Sequence, residues 1–454
     1  MRGKAEPITG KERCTVAIPD KVTFMPRLPH RFRRKIRAAV AAVLGLFLFW
    51  FFLIALMPYR RELRRSVPPG PPAGDPQFAR DMAGLYGSPI LGGNRIETLI
   101  NGDTIFEAML TSIRQAQHSI TFETYIYWSG QIGNRFCDLL IARAQSGVEV
   151  KVLIDWVGGL PMEDDLIERM HKGGVDLRMF RPMRPRTLSR LNNRTHRKVL
   201  VIDGKTGFIG GVGVADVWMG NARNPNEWRD THYRVTGPVV ALMQNAFSHN
   251  WVEASGEVLR GENYYPQLHP VGGSEIQMVK SNTGSRNEIH LMFMTALAAA
   301  QDHIRISTPY FVPDKVAIAQ LLEARARGVK VDLLIAGKHT DSWLVRRVSR
   351  LSWRKLLAAG ICIHEYAPTF LHAKLVIVDT CWASVGSANF DERSFRLNDE
   401  ANLNVYDAAF VAEQIQIFEA DCERAPQVSE ADLDQIGWLE HAQTAVLGWL
   451  RPHL

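Results

Sequence analysis

Two histidine–lysine pairs carry the chemistry that can be read from this chain. His196, Lys198 and Asp203, and again His372, Lys374 and Asp379, share the spacing H-x-K-x-x-x-x-D. A neutral imidazole can attack phosphorus, and a protonated imidazole can give its proton to a leaving alcohol. Two histidines therefore cover both halves of a two-step phosphoryl transfer through a phosphohistidine. Two lysines beside them neutralise charge on the non-bridging oxygens, a task other enzymes give to a metal ion. A single H-x-K reads more simply as a strand edge with two polar residues. Two copies with matched flanks do not: Gly210 follows His196 by fourteen residues, and Gly386 follows His372 by fourteen.

Each pair lies in a β-branched and aliphatic run that predicts a buried strand, with His and Lys, two apart, on one face. Asp203-Gly204 predicts a hairpin turn, with residues 206–211 returning as a strand, and residues 381–387 repeat the return. The repetition extends outward. Residues 139–144 and 321–326 predict amphipathic helices, followed after a Gly by strands at 147–154 and 328–335. Upstream, residues 119–124 pair with 303–308, again as strands. The offset between copies drifts from 184 residues near Thr124 to 176 at His196, as a few loop insertions in the first half would produce. Alternating strands and helices predict an α/β fold of two repeated halves, each a sheet covered by helices.

Further motifs give these halves a family likeness. Residues 386–394 spell G-S-A-N-F-D-E-R-S, residues 228–232 W-R-D-T-H and residues 308–313 T-P-Y-F-V-P. With the two H-x-K-x-x-x-x-D copies, this pattern resembles the phospholipase D superfamily, and within it the bacterial cardiolipin synthases, over about residues 98–425. The resemblance implies a pseudo-two-fold packing that brings both motifs to one cleft, and a phosphodiester transferase or hydrolase with no metal and no cofactor. It implies His196, Lys198, His372 and Lys374 as catalytic. Asp203 and Asp379 belong to the same motifs, but are expected to stabilise the hairpins and cleft rather than touch substrate. Asn389 and Ser387 would support the substrate phosphate, while Asp230 and Glu400 would orient the histidines. Gly213 stands where many relatives keep a second Asn, which removes one amide donor from the first half of the phosphate cradle.

The rest of the chain bears on where this chemistry would happen. The net charge is +7, but residues 1–65 hold 15 Lys and Arg against 4 Asp and Glu, so the remainder carries −4. The part bearing the motifs thus lacks the basic footprint of a nucleic-acid-binding protein. Residues 38–57 contain no charge, and as a helix would span about 30 Å, the thickness of a bilayer's hydrocarbon core. Six basic residues in the fifteen before this run and four in the fifteen after it lean towards a cytoplasmic N-terminus. Five scattered cysteines make neither a disulfide framework nor a metal cluster.

The expected organisation is a basic tail (1–37), a transmembrane helix (38–57) and a Pro/Gly-rich linker acting as spacer (58–80). Two phospholipase D-like halves follow (81–262 and 263–425), then a C-terminal amphipathic helix (426–454) with Trp438, Ala442, Ala445 and Trp449 at helical spacing. Basic stretches at Arg181–Arg194 and Arg346–Lys355 read mostly as solvated faces, with contact to anionic lipid headgroups as the alternative. The function expected is a phosphatidyltransferase in the bacterial inner membrane that makes cardiolipin from phosphatidylglycerol through a phosphatidyl-histidine. A phospholipase D or phosphodiesterase, and a tethered scaffold with a crippled site, are the alternatives.

Overall fold

The computed structural model describes residues 30–56, 63–183, 192–282 and 287–434. The chain divides into two compact units, Met1–Pro58 and Tyr59–Leu454. In the first, a helix runs over His30–Leu56, and its described side chains between 37 and 50 are exposed. Among the described residues no helix is long and apolar enough to cross a membrane. The expected span of 38–57 therefore stands apart from what the structure describes: side chains are placed only as far as Trp50, about 20 Å of helix, and Met57 lies outside.

The second unit is built on strands that come in two sets. The first set is β1 (Ile90–Ile100), β2 (Ser119–Thr124), β3 (Glu149–Asp155), β4 (Asp176–Phe180), β5 (Val199–Ile202), β6 (Thr206–Gly210) and β7 (Thr231–Thr236). The second is β8 (Ser274–Lys280), β9 (His303–Thr308), β10 (Phe311–Val312), β11 (Lys330–Ala336), β12 (Cys362–Tyr366), β13 (Leu375–Val378), β14 (Trp382–Gly386), β15 (Phe390–Asp391) and β16 (Ala401–Val405). Fourteen of them form one sheet whose middle is the antiparallel contact of β1 with β8. Outward from that contact the order is β1-β7-β6-β5-β2-β3-β4 on one side and β8-β16-β14-β13-β9-β11-β12 on the other. The two orders correspond strand for strand, which is the pseudo-two-fold duplication expected. The short strands β10 and β15 pair with each other outside this sheet.

Both faces of the central strands are buried, which explains their unbroken aliphatic runs. On β5, Leu200 and Ile202 point to the helix-covered core of the first half, while Val199 and Val201 point to a core between the halves. On β13, Val376 and Val378 face the helices of the second half, and Leu375 and Ile377 face the same central core. One central core thus draws on both halves, so they fold as one body.

The linker is not a free spacer. Gln320 holds Val67 through both its backbone N–H (2.8 Å) and its carbonyl oxygen (3.2 Å), and Ala73 is buried in the second-half core. Asp75 then caps a helix, Pro76–Tyr86, by accepting the Gln77 N–H at 2.7 Å. Phe78 and Met82 of that helix are buried in the second-half core. Apolar residues among the prolines make the difference: the segment buries them rather than leaving them in water. Of the C-terminal helix only Glu430–Asp434 is described; the Trp438 to Trp449 stripe lies outside the described residues.

Candidate active site

The two H-x-K-x-x-x-x-D motifs enter their strands rather than lying inside them. β5 begins at Val199 and β13 at Leu375, so both histidines and both lysines sit on the extended approach. That approach pairs across the pseudo-dyad. Thr195 bridges Asp399, and Leu371 bridges Arg229. The backbone N–H of His196 donates to the Asp399 carbonyl at 2.9 Å, and that of His372 to the Arg229 carbonyl at 2.7 Å. The next residues along, Glu400 and Asp230, are the carboxylates expected to orient the histidines.

They do so crosswise. Glu400, from the second half, accepts from His196 Nδ1 at 2.9 and 3.0 Å. Asp230, from the first half, accepts from His372 Nδ1 at 2.7 Å. Each imidazole is thereby fixed with Nε2 as the nitrogen left for chemistry. Glu400 is itself held by the hydroxyls of Ser387 (2.5 Å) and Ser394 (2.9 Å) and the amide of Asn398 (3.2 Å). Asp230 is held by the Trp218 indole N–H at 3.0 Å and the Thr231 N–H at 2.8 Å. Ser387 thus acts on Glu400 rather than on the cavity.

His196, His372, Lys198 and Asn389 line one cavity of about 180 Å³, with Tyr125, Ile126, Tyr310, Asp341 and Asp391 around them. Lys374 Nζ lies 3.1 and 3.2 Å from the His372 ring nitrogens and donates to the His372 carbonyl at 2.6 Å. Lys198 Nζ donates to the His196 carbonyl at 2.9 Å. Asn389 keeps its side-chain oxygen buried and without a hydrogen-bond partner. Asp203 and Asp379 are elsewhere. Asp203 accepts the backbone N–H groups of Gln117, His118 and Ser119, and Asp379 those of Gln301, Asp302 and His303. They belong with the strand turns, where both have positive φ.

The site is set up for an anion. Burial pushes His196 down to about 4 and His372 to about 3, so both rings are neutral near pH 7 despite their carboxylate partners. Burial, with Lys374 adding to it, lowers Lys198 to about 7; burial lowers Lys374 to about 8. Two crowded, desolvated ammonium groups are relieved by a ligand that brings negative charge. Among the described residues no group of three or more His, Cys, Asp or Glu side chains could hold a metal ion.

At Gly213, which follows His196 by seventeen residues as Asn389 follows His372, an added Cβ would come within 2.9 Å of Ile126 Cβ and 3.3 Å of the Trp218 ring. Ile126 also lines the cavity. The second amide is not merely missing; its space is filled by apolar neighbours. Several contributors escaped the sequence reading. Ser394 and Tyr310 stand inside motifs that were legible, whereas Asp341 carries no local signal. Arg197 is buried and bonds the carbonyls of Ala246 and Ser281, both at 2.7 Å, tying the first motif to the second half. Arg181 and Arg194 are buried rather than solvated: Arg181 pairs with Glu253 and Asp399, and Arg194 lies 3.5 Å from Asp155. Arg184, Arg186 and Arg190 lie outside the described residues.

The family model for the cardiolipin synthase PLD-like domain matches residues 109–222 and 293–422, one match in each half. Cardiolipin synthase 2 of Bacillus cereus is 37% identical over 336 residues, 73% of this chain and 65% of that protein. Cardiolipin synthase A of Pseudomonas fluorescens SBW25 is 36% identical over 353 residues, 77% of this chain and 73% of that protein. The chain therefore spans about two thirds of the Bacillus protein's length. In fold it is similar to phosphatidylserine synthase of Haemophilus influenzae (TM-score 0.64, 14% identity, 83% of this chain and 99% of that one). It is also similar, less closely, to polyphosphate kinase of Porphyromonas gingivalis (0.51, 14%, 74% and 49%). With both repeats matched and relatives more than a third identical over about three quarters of its length, the chain belongs to the cardiolipin synthase family of phospholipase D-like proteins.

Proposed function

We propose that the protein is a membrane-anchored phosphatidyltransferase that makes cardiolipin from two molecules of phosphatidylglycerol. The observation that carries this reading is the crossed pair of carboxylate–imidazole contacts opening on one lysine-bearing cavity. In the first step His196 Nε2 attacks the phosphorus of phosphatidylglycerol, the bond to glycerol breaks, and His372 protonates the departing glycerol oxygen. In the second, a hydroxyl of another phosphatidylglycerol gives its proton to His372 and attacks phosphorus, and the P–N bond breaks. The choice of His196 as nucleophile follows the family resemblance, since the two imidazoles are held alike. Lys198, Lys374 and Asn389 take the non-bridging oxygens. Burial holds His372 down first, and Lys374 and Lys198 add to it; the entering anion offsets those two charges and so favours the protonated ring needed for the first step. The uncharged run at 38–57 is the single-pass anchor that keeps this cavity at the bacterial inner membrane.

The test is lipid analysis after incubating the full chain with phosphatidylglycerol vesicles. Cardiolipin and glycerol in equal amounts are expected. Phosphatidic acid instead would make it a hydrolase, and no product from any phospholipid would make it a scaffold. His196→Ala and His372→Ala are each expected to remove turnover, and His196→Ala to leave no phosphatidyl group on the protein. Activity is expected to survive EDTA; a loss restored by a divalent ion would refute the metal-free route.

A further inference from the structure

The helix Trp343–Arg350 breaks the duplication. In the first half β3 reaches β4 through one helix, Asp164–Lys172; in the second, β11 reaches β12 through two, Trp343–Arg350 and Trp353–Ala358. Val345 and Val348 of the additional helix are buried against Val312 of β10, with Tyr310 and Leu344 at the edge of the cluster. Its other side is of mixed character. The Trp343 indole is 62% exposed, and the Arg347 guanidinium lies 5.0 Å over its ring. Leu351, Arg354 and Lys355 continue the exposed stripe.

Residues 338–355 hold six Lys and Arg against one acidic residue, in a body of net charge −4 over residues 66–454. Glu365 pairs with Arg346 and Arg350, which still leaves the stretch positive. Lys338, Thr340, Trp343, Arg346, Arg347 and Arg350 line a hollow of about 330 Å³. Asp341, within this stretch, lines the catalytic cavity and accepts from the Tyr310 hydroxyl at 2.6 Å. Thr340 of the hollow and Asp341 of the cavity are thus consecutive in the chain.

An indole beside arginines suits one environment well. Amphipathic rings lodge at the level of lipid headgroups, and basic side chains gain from the negative potential of an anionic leaflet. We propose that the Trp343–Arg350 helix docks on an anionic phospholipid surface, with Trp343 at headgroup depth and the hollow around a lipid phosphate, so that lipid enters the cavity past Asp341. This goes beyond the proposed reaction and does not require it.

Hydrogen–deuterium exchange of the full chain tests it, in nanodiscs of phosphatidylcholine and of phosphatidylglycerol. Residues 338–355 are expected to gain protection in the anionic discs only. Trp343→Ser with Arg347→Glu should abolish that gain and slow turnover of phosphatidylglycerol presented in a bilayer by about tenfold. Turnover of short-chain phosphatidylglycerol in detergent should stay at the wild-type rate, and Trp343→Tyr with Arg347→Lys should keep both properties. Equal exchange in the two discs would overturn the docking. So would protection of the same residues by a soluble acidic peptide or single-stranded RNA as strong as that by the anionic discs. Protection without turnover leaves the docking standing and sinks the reaction; turnover in bilayers indifferent to the double variant does the reverse.

Discussion

Glu400 accepts from the His196 ring, two serine hydroxyls and an asparagine amide. Burial pushes its carboxyl up, but His196, Lys198 and Ser387 outweigh this and hold it below the usual carboxylate range. A carboxylate so fixed sets the tautomer of His196 and supports its change of charge. Glu400→Gln is therefore expected to lower kcat on the order of a thousandfold, and in rapid-quench experiments to slow loading of His196. Asp230→Asn should act instead on the proton transfers of His372. The lysines set the pH dependence of ligand binding. Lys198 at about 7 and Lys374 at about 8 are held below the ordinary lysine value, so their charged forms are lost as pH rises through that interval. Dimethyl phosphate, whose single charge does not change there, should raise the melting temperature at pH 6 and much less at pH 9. At this scale the sequence told which residues matter but not which partner each takes. Asp230 follows His196 and Glu400 follows His372 along the chain, and only the fold reveals that each serves the other histidine.

At the scale of elements, the strand turns show why a motif and a catalytic set are different things. The aspartate of H-x-K-x-x-x-x-D recurs in both copies because each turn leaves three consecutive backbone N–H groups to be satisfied. Asp203→Ala should cost about 2–3 kcal/mol in urea denaturation, since the lost bonds are to a charged acceptor. Its kcat should remain that of the parent; a collapse of kcat at unchanged stability would return Asp203 to the chemistry. Strand and helix alternation was legible because the aliphatic runs and glycine stops are local signals. The exact start of β5 and β13 was not, because the residues just before them pair with the opposite half. Gly213 shows a similar limit: the missing Asn is visible in the chain, whereas the filling of its place by Ile126 and Trp218 is a fact of packing.

The whole body is stitched by exchange between its halves. The helix Pro76–Tyr86 precedes the first half in sequence but is buried in the second, and β1 pairs with β8 as well as β7. Deleting residues 1–86 should cost at least about 3 kcal/mol more than deleting residues 1–62, the scale of emptying one buried aromatic position, and urea denaturation of the two truncations measures the difference. The linker misread has the same origin, since prolines signal an extended chain but not the surface it lies on. The crossed carboxylates have a consequence for descent. After a duplication each copy is ordinarily at liberty to drift, and here the copies differ, with Gly213 in one against Asn389 in the other and an additional helix in the second. At Asp230 and Glu400 that liberty is withdrawn: a change in either copy disarms the histidine inherited by its twin, so neither repeat can age alone.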